Sequence, residues 1–263
     1  MANTSWAVFH QRWARLQPPL RPHADVCTAV RTLLRGHDTS VLLLGATPEL
    51  AGIPARTIAV DRSALSLDLI WPGNTPARGA LRGNWLALPC GAGAFTAVIG
   101  DGSLSCLEYP VEYARVLYEL ARAVQPGGRI VLRVYLRPDR SQSTAEIYAD
   151  AMSGAARSPH ALKWMVAHAA CAERHSANLP VAAILDLYDR AFPDRQALSA
   201  ATGWCLDEVE HVDAYAGAGD VYSFPTSGEL LDVVARAGLR GRLQPVGSYP
   251  LSERCPLLVI DLV

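Results

Sequence analysis

The chain has 263 residues, half of them hydrophobic, which suits one large domain or one domain carrying a sizeable insertion. With 24 basic and 25 acidic residues the net charge is −1, so no cationic surplus recommends a polyanionic partner and nucleic acid is a poor fit. Six cysteines without a C-x-x-C pair point to reduced, mostly buried thiols rather than a disulfide scaffold.

Residues 1–21 carry Trp6, His10, Arg12, Trp13 and Arg15 and no continuous apolar run, so they do not read as a secretory signal. Val41–Leu44, the most apolar run, is too short to cross a bilayer. A cytoplasmic protein with no membrane partner is the expectation. Three prolines within residues 18–22 forbid a helix there and favour an extended run. From Asp25 on, Val26, Ala29, Val30, Leu33 and Leu34 recur at helical spacing, and Gly36 offers a stop.

Val41–Leu44 then reads as a strand buried on both faces of a parallel sheet, and residues 58–60 and 97–99 repeat the pattern. Ser63 can cap a helix running to about Ile70, which Trp71-Pro72-Gly73 ends. Tyr113, Val116, Leu117, Leu120 and Ala121 form an apolar stripe on a helix over 109–124. Pro126-Gly127-Gly128 should turn that helix into a strand over 129–135. Helical stretches follow at about 145–156, 161–176 and 181–192. Thr226 or Ser227 can cap a last helix, with closing strands over 240–246 and 257–263. Strands alternating with helices mean βαβ units with right-handed crossovers. The expected division is an N-terminal extension and helix (1–37), a core (38–136 with 225–263) and a helical insertion (137–224).

In an open α/β sheet, ligands bind beyond the carboxyl ends of the strands. Gly45 directly follows the first strand, with Ala46 and Thr47 in the turn, and a glycine there admits a ligand close to the backbone. Asp61 ends the second strand, 61 − 45 = 16 residues later, followed by Arg62. An acidic side chain at that place can accept hydrogen bonds from both hydroxyls of a ribose; its alternative role is to cap the next helix. Asn84-Trp85 falls after the third strand and Asp101-Gly102-Ser103 after the fourth, where Asp before Gly is also a common turn.

The ordered series Val41-Leu-Leu-Leu-Gly45-Ala-Thr-Pro, Thr57-Ile-Ala-Val-Asp61, Gly83-Asn-Trp-Leu-Ala-Leu-Pro89, Phe95-Thr-Ala-Val-Ile-Gly-Asp101-Gly-Ser and Leu120-Ala-Arg-Ala-Val-Gln-Pro126-Gly-Gly-Arg-Ile-Val-Leu-Arg133 resembles the class I S-adenosylmethionine (SAM)-dependent methyltransferases. The resemblance covers residues 38–135, and 226–263 more loosely; Trp13, Pro18-Pro-Leu-Arg-Pro22 and Gly100-Asp-Gly-Ser103 also resemble a bacterial subgroup of that family. It implies a Rossmann-like, seven-stranded, mostly parallel sheet with helices on both faces and the last strand antiparallel beside the fifth. It further implies SAM as cofactor and a small-molecule acceptor. Gly45, Ala46 and Thr47 would meet the cofactor's amino acid end, Asp61 and Arg62 the ribose, and Asn84 and Trp85 the adenine. Asp101 and Gly102 would meet the methionine portion, with Asp101 binding the ammonium or orienting the acceptor. The glycine motif departs from the family pattern, because Leu43 stands at its acidic position and Thr47 and Glu49 at its second and third glycines.

Methyl transfer from a sulfonium needs alignment and exclusion of water, and a base when the acceptor's pKa is high. The candidate for that base, or for positioning the acceptor, is His168 in the insertion; Tyr109, Tyr135, Tyr188 and Tyr222 could line an acceptor pocket, Tyr135 foremost because it falls at the end of the fifth strand. His168, Cys171 and His175 would share one face of an unbroken helix, where a base, a metal site or an ordinary half-exposed face are all open readings, with no metal the expectation. Two other functions compete. A catalytically inactive module of this fold would explain the altered glycine motif. A nicotinamide-dependent oxidoreductase is disfavoured, since Gly45-Ala-Thr-Pro-Glu-Leu lacks G-x-G-x-x-G. A homodimer stays open.

Overall fold

The computed structural model describes residues 13–263. A three-ten turn, Trp13–Arg15, opens a strap that ends at His23, whose side chain caps α1 (Ala24–Leu33) by accepting the N–H of Asp25. The proline run in the strap forms a turn rather than the expected extended segment, with the Leu20 N–H bonded to the Gln17 carbonyl at 3.0 Å. The next elements are β1 (Val41–Leu44), α2 (Pro48–Ala51), β2 (Thr57–Asp61), α3 (Ala64–Leu69), β3 (Arg78–Arg82) and β4 (Phe95–Asp101). Then come α4 (Val111–Ala123) and β5 (Val124–Arg133). Pro126-Gly127-Gly128 does not precede that strand but lies inside it, where the pairing with β4 jumps from Phe95↔Val124 to Ala97↔Arg129. Such a bulge absorbs the unpaired residues and leaves the ladder intact on either side.

Residues 137–224 hold α5 (Thr144–Met152), α6 (Pro159–Glu173), β6 (Asn178–Pro180), α7 (Val181–Ala191), α8 (Arg195–Thr202), α9 (Leu206–Val209) and β7 (Val221–Ser223). The chain closes with α10 (Ser227–Arg236), β8 (Gly241–Gln244) and β9 (Leu257–Asp261). Thr226 caps α10 in a reciprocal box with Glu229, as Ser143 does for α5 with Glu146.

Seven strands form one sheet in the order β3-β2-β1-β4-β5-β9-β8. The first five run parallel, and β9 inserts antiparallel between β5 and β8. This is the Rossmann-like arrangement that the strand series implied. Alternation along β1 divides the core. Val41 and Leu43 join α1 on one face, while Leu42 and Leu44 join α4 and α10 on the other. The first core continues without a break into the insertion, through Ile147, Leu162, Trp164, Tyr188 and Phe224. The two-stranded ribbon of β6 and β7 has no counterpart in the sequence reading. It ties the insertion to the core, because the Asn178 side chain accepts the Tyr109 N–H at 2.9 Å and donates to the Tyr109 carbonyl at 2.7 Å.

Candidate functional site

The carboxyl ends of β1, β2, β3 and β4 open into a cavity of about 980 Å³. Gly45 leaves β1 with φ +93°, a left-handed conformation, and a Cβ there would stand 3.9 Å from both Asp61 Oδ2 and Trp85 Cζ2. One bare stretch of backbone is therefore flanked by a carboxylate and an indole. Asp61 Oδ1 accepts the Ser63 N–H at 2.8 Å, and Ser63 caps α3. That contact matches the alternative role read for Asp61 at the start of the next helix, while its other oxygen, Oδ2, lies on the Gly45 side. Burial raises the Asp61 pKa, opposed by the Ser63 N–H, by Arg62 and by Ser66.

Arg62, Ala46 and Thr47 line the same cavity. Asn84 and Trp85 do so as well, directly after β3. Asn84 Oδ1 accepts the Leu86 N–H at 3.0 Å, and Trp85 Nε1 donates to the Val60 carbonyl at 2.6 Å. The Trp85 ring is thereby pinned to β2 while its face borders the cavity. Gly102 follows β4 with φ +63°, and a Cβ there would lie 2.6 Å from the Tyr135 ring. Ser103, next to it, lines the cavity with a buried hydroxyl that has no hydrogen-bond partner.

Three residues expected to act in chemistry are placed otherwise. Asp101 reaches the cavity wall, but both of its carboxylate oxygens are engaged by Arg133, through Nε on Oδ1 and through Nη2 on Oδ2 at 3.0 Å. Its first partner is that guanidinium, not an ammonium or an acceptor. Burial raises the Asp101 pKa and Arg133 pulls it back. Arg133 itself titrates well above its ordinary value, since Asp101 and the phenols of Tyr135 and Tyr249 outweigh desolvation. Tyr135 donates its proton to the Pro19 carbonyl at 3.1 Å and accepts from Arg133 Nη2 at 2.9 Å. Burial drives its pKa well up, so it is no base. His168 is buried in α6 against Phe224, ring centroids 5.4 Å apart, and does not line the cavity. Desolvation, with Arg254 and Arg137, lowers its pKa to about 3, and its Nε2 has no partner. Of its proposed companions, Cys171 stays beside it on α6, buried as well, and His175 does not. Helix α6 ends at Glu173, and His175 beyond it turns to φ +49°. Among the described residues no group of three or more His, Cys, Asp or Glu is placed to hold a metal ion.

Leu20, Trp164 and Asp220 are wall residues that had no signal in the sequence, whereas Tyr222 lines the cavity as an acceptor-pocket candidate. Trp13 and Leu20 reach the cavity from the strap, and Trp164, Asp220 and Tyr222 from the insertion. The strap is held down by its backbone: Arg133 Nη2 donates to the Pro19 carbonyl at 2.8 Å, and Arg21 pairs with Glu49 on α2.

No protein-family model and no curated protein matches the sequence. Solved structures do. The fold is similar to a SAM-dependent methyltransferase from Aquifex aeolicus, at 13% identity and TM-score 0.51 over 97% of this chain and 98% of that one. It is similar to the Burkholderia thailandensis 1,6-didemethyltoxoflavin-N1-methyltransferase with bound 1,6-didemethyltoxoflavin and S-adenosylhomocysteine, at 15% identity and TM-score 0.50 over 100% of this chain and 90% of that one. A Rhodobacter sphaeroides protein provisionally described as a zinc-dependent alcohol dehydrogenase gives TM-score 0.61 at 15% identity over 100% of this chain and 99% of that one. Identities this low speak for the fold alone. The chain has the class I SAM-dependent methyltransferase fold. No helix of the described residues is long and apolar enough to cross a membrane.

Proposed function

We propose that the protein is a SAM-dependent methyltransferase acting on a small-molecule acceptor. The observation that carries this reading is Asp61 at the end of β2, with one carboxylate oxygen beside the left-handed Gly45 and the Trp85 indole in a large cavity. A ribose diol needs such an acceptor, and a nucleoside needs bare backbone beside a ring. The residues at these strand ends fit SAM on these grounds. When bound, SAM supplies a methyl group already activated by its sulfonium.

The chain's residues then have limited tasks. Asp61 accepts hydrogen bonds from the ribose hydroxyls, Asn84 and Trp85 hold the adenine, Gly45, Ala46 and Thr47 leave room for the amino acid end, and Gly102 borders that end while admitting the Tyr135 ring against its backbone. The Arg133–Asp101 pair positions the strap through Pro19, so that Trp13 and Leu20 help exclude water. The insertion acts as a lid, contributing Trp164, Asp220 and Tyr222 to the acceptor end. Alignment and exclusion of water are the protein's main contributions to a displacement of this kind.

The test is thermal unfolding with SAM and with S-adenosylhomocysteine. A ligand at a hundredfold its dissociation constant should stabilise the fold by about 2.7 kcal/mol. Asp61→Ala should abolish that shift while leaving the ligand-free transition cooperative. A folded protein that shifts with neither ligand would favour an inactive module of this fold, which the altered glycine motif at Leu43, Thr47 and Glu49 also allows.

A further inference from the structure

The entry to β7 brings a carboxylate and a ring to one face. Asp220, immediately before the strand, and Tyr222, within it, are two residues apart, and both line the cavity. Ser223 faces the other way and fastens the strand to the core. Its hydroxyl donates to the Leu107 carbonyl at 2.7 Å and meets the Tyr113 hydroxyl at 2.9 Å. The Asp220 carbonyl accepts the Val181 N–H at 2.9 Å, so the backbone that carries the carboxylate is itself paired. Glu112, in the first turn of α4, adds a second carboxylate to the cavity lining, with its Oε2 accepting the Glu108 N–H at 2.8 Å.

Rings make up much of the neighbouring wall. Tyr135, Trp164 and Tyr222 line it together. The Tyr222 ring meets Trp164 edge to face at 5.9 Å and 88°, and Trp164 stands 5.5 Å from the Tyr135 ring. Aromatic surface beside a carboxylate complements a ligand that joins a ring to a cationic nitrogen. The cations of the region have other places. Arg62 follows β2 and Arg82 ends β3, at the strand ends assigned above to the nucleoside, and Arg82 Nε donates to the Arg62 carbonyl at 3.2 Å. Lys163 Nζ lies 6.0 Å over the Trp164 ring, but Lys163 is not part of the cavity lining and its Nζ is 3.2 Å from His211 Nδ1. Desolvation lowers its pKa to about 7, so above that pH it opposes a cationic ligand little.

The reaction gives a carboxylate at the acceptor end a purpose. Methyl transfer from a sulfonium carries positive charge onto the acceptor atom. An amine nitrogen therefore passes from neutral to cationic, and a carboxylate beside it favours the transition state over the ground state. An oxyanion acceptor loses its charge in the same step and is repelled by that carboxylate beforehand. We infer that the acceptor is an arylalkyl amine whose nitrogen is held by the Asp220 carboxylate and whose ring lies against Tyr222, which makes Asp220 a specificity-determining residue. The inference rests on the methyltransferase reading of the same cavity. The amine arrives as an ammonium and releases one proton to solvent. Its lone pair then forms the new N–CH3 bond, the CH3–S bond breaks with its electron pair staying on sulfur, and the product is the N-methylammonium.

The experiment is calorimetric titration of the full chain in saturating S-adenosylhomocysteine at about pH 8.5, where alkyl amines remain charged and Lys163 is largely neutral. The probes are tryptamine and phenethylamine, each against the alcohol and the carboxylate on the same ring: tryptophol and indolepropionate, phenethyl alcohol and hydrocinnamate. At least one amine should bind about tenfold more tightly than its alcohol, and the carboxylates should bind most weakly. Asp220→Asn should weaken that amine by about tenfold and leave the alcohol and S-adenosylhomocysteine as they were, whereas a loss of shape alone weakens amine and alcohol together. Glu112→Gln should change the preference less. If neither amine is preferred over its alcohol, if Asp220→Asn weakens both equally, or if Glu112→Gln has the larger effect, the inference is overturned. Should Asp220→Asn not fold, the comparison of probes on the unsubstituted protein and on Glu112→Gln still decides. Failure of S-adenosylhomocysteine to bind would instead remove the methyltransferase reading, so the two failures are told apart.

Discussion

Arg133 and Lys163 are both buried cations, 1% and 2% exposed, and the molecule treats them in opposite ways. Arg133, at the end of β5, is held by Asp101, the Pro19 carbonyl, the Tyr135 hydroxyl and, at 3.3 Å, the Tyr249 hydroxyl. It stays charged. Lys163, inside the insertion, meets His211 and the Tyr215 ring, and desolvation lowers its pKa to about 7. Near pH 7 it is therefore about half protonated and loses its charge readily as the pH rises. A buried charge persists where hydrogen bonds replace its water, and is discharged where they do not. The first region uses its cation to fasten the strap over the site; the second has packing as its evident role.

Breaking the first region should have the largest effect. Arg133→Met leaves Asp101 buried without its counter-ion, and urea unfolding should show a loss of about 3–5 kcal/mol. Hydrogen exchange at strap residues 14–21 should accelerate in the same variant. Adding Asp101→Leu removes the stranded charge, so the double variant should recover part of the loss. A single variant within about 1 kcal/mol of the parent would mean the pair is not organising this end of the sheet.

The second region should respond to pH. Native Lys163 loses its proton near pH 7, whereas the unfolded side chain keeps it to about 10.5. The unfolded chain then binds the extra proton, so stability rises with pH, with a slope of up to about 1.4 kcal/mol per unit. The window to use is about pH 7 to 8.5, below the ordinary pKa of 9.0 from which burial raises Cys106, Cys171 and Cys255, thiols that act in the opposite sense. Lys163→Met should flatten the slope; an equally steep profile in that variant would place the titration elsewhere.

His168 should matter least. Its native pKa of about 3 lies below its ordinary 6.5, so it subtracts stability as the pH falls from 6.5 towards 3. His168→Leu should remove that acid sensitivity, shift neutral-pH stability by no more than about 1 kcal/mol, and leave methyl transfer unchanged. A large drop in turnover without a change in stability would return His168 to the chemistry.

Much of the site was readable because strand ends in a parallel sheet converge. Gly45, Asp61 and Asp101 each end or follow a short apolar run, and once the runs are ordered their ends share one edge; Asn84 follows the polar strand Arg78–Arg82, and only the family resemblance placed it there. His168 was not readable in this way. A helical wheel groups His168 with Cys171, but α6 is buried from Pro159 through Cys171 on nearly every side, so its periodicity has no preferred direction. The bulge at Pro126-Gly127-Gly128 was misplaced for a related reason: Pro and Gly announce an interruption without saying whether it falls before a strand or within one.

The sequence by itself determined the alternation of strands and helices, the capped starts of α5 and α10, and which residues stand at strand ends, because these depend on neighbours a few positions apart. The tertiary structure alone decided which polar groups meet. Asp101 and Arg133 are 32 residues apart, and Arg133 and the Pro19 carbonyl 114. No local pattern records such pairings, since they arise when packing removes water from each group and leaves it only the partners that the fold has brought within reach.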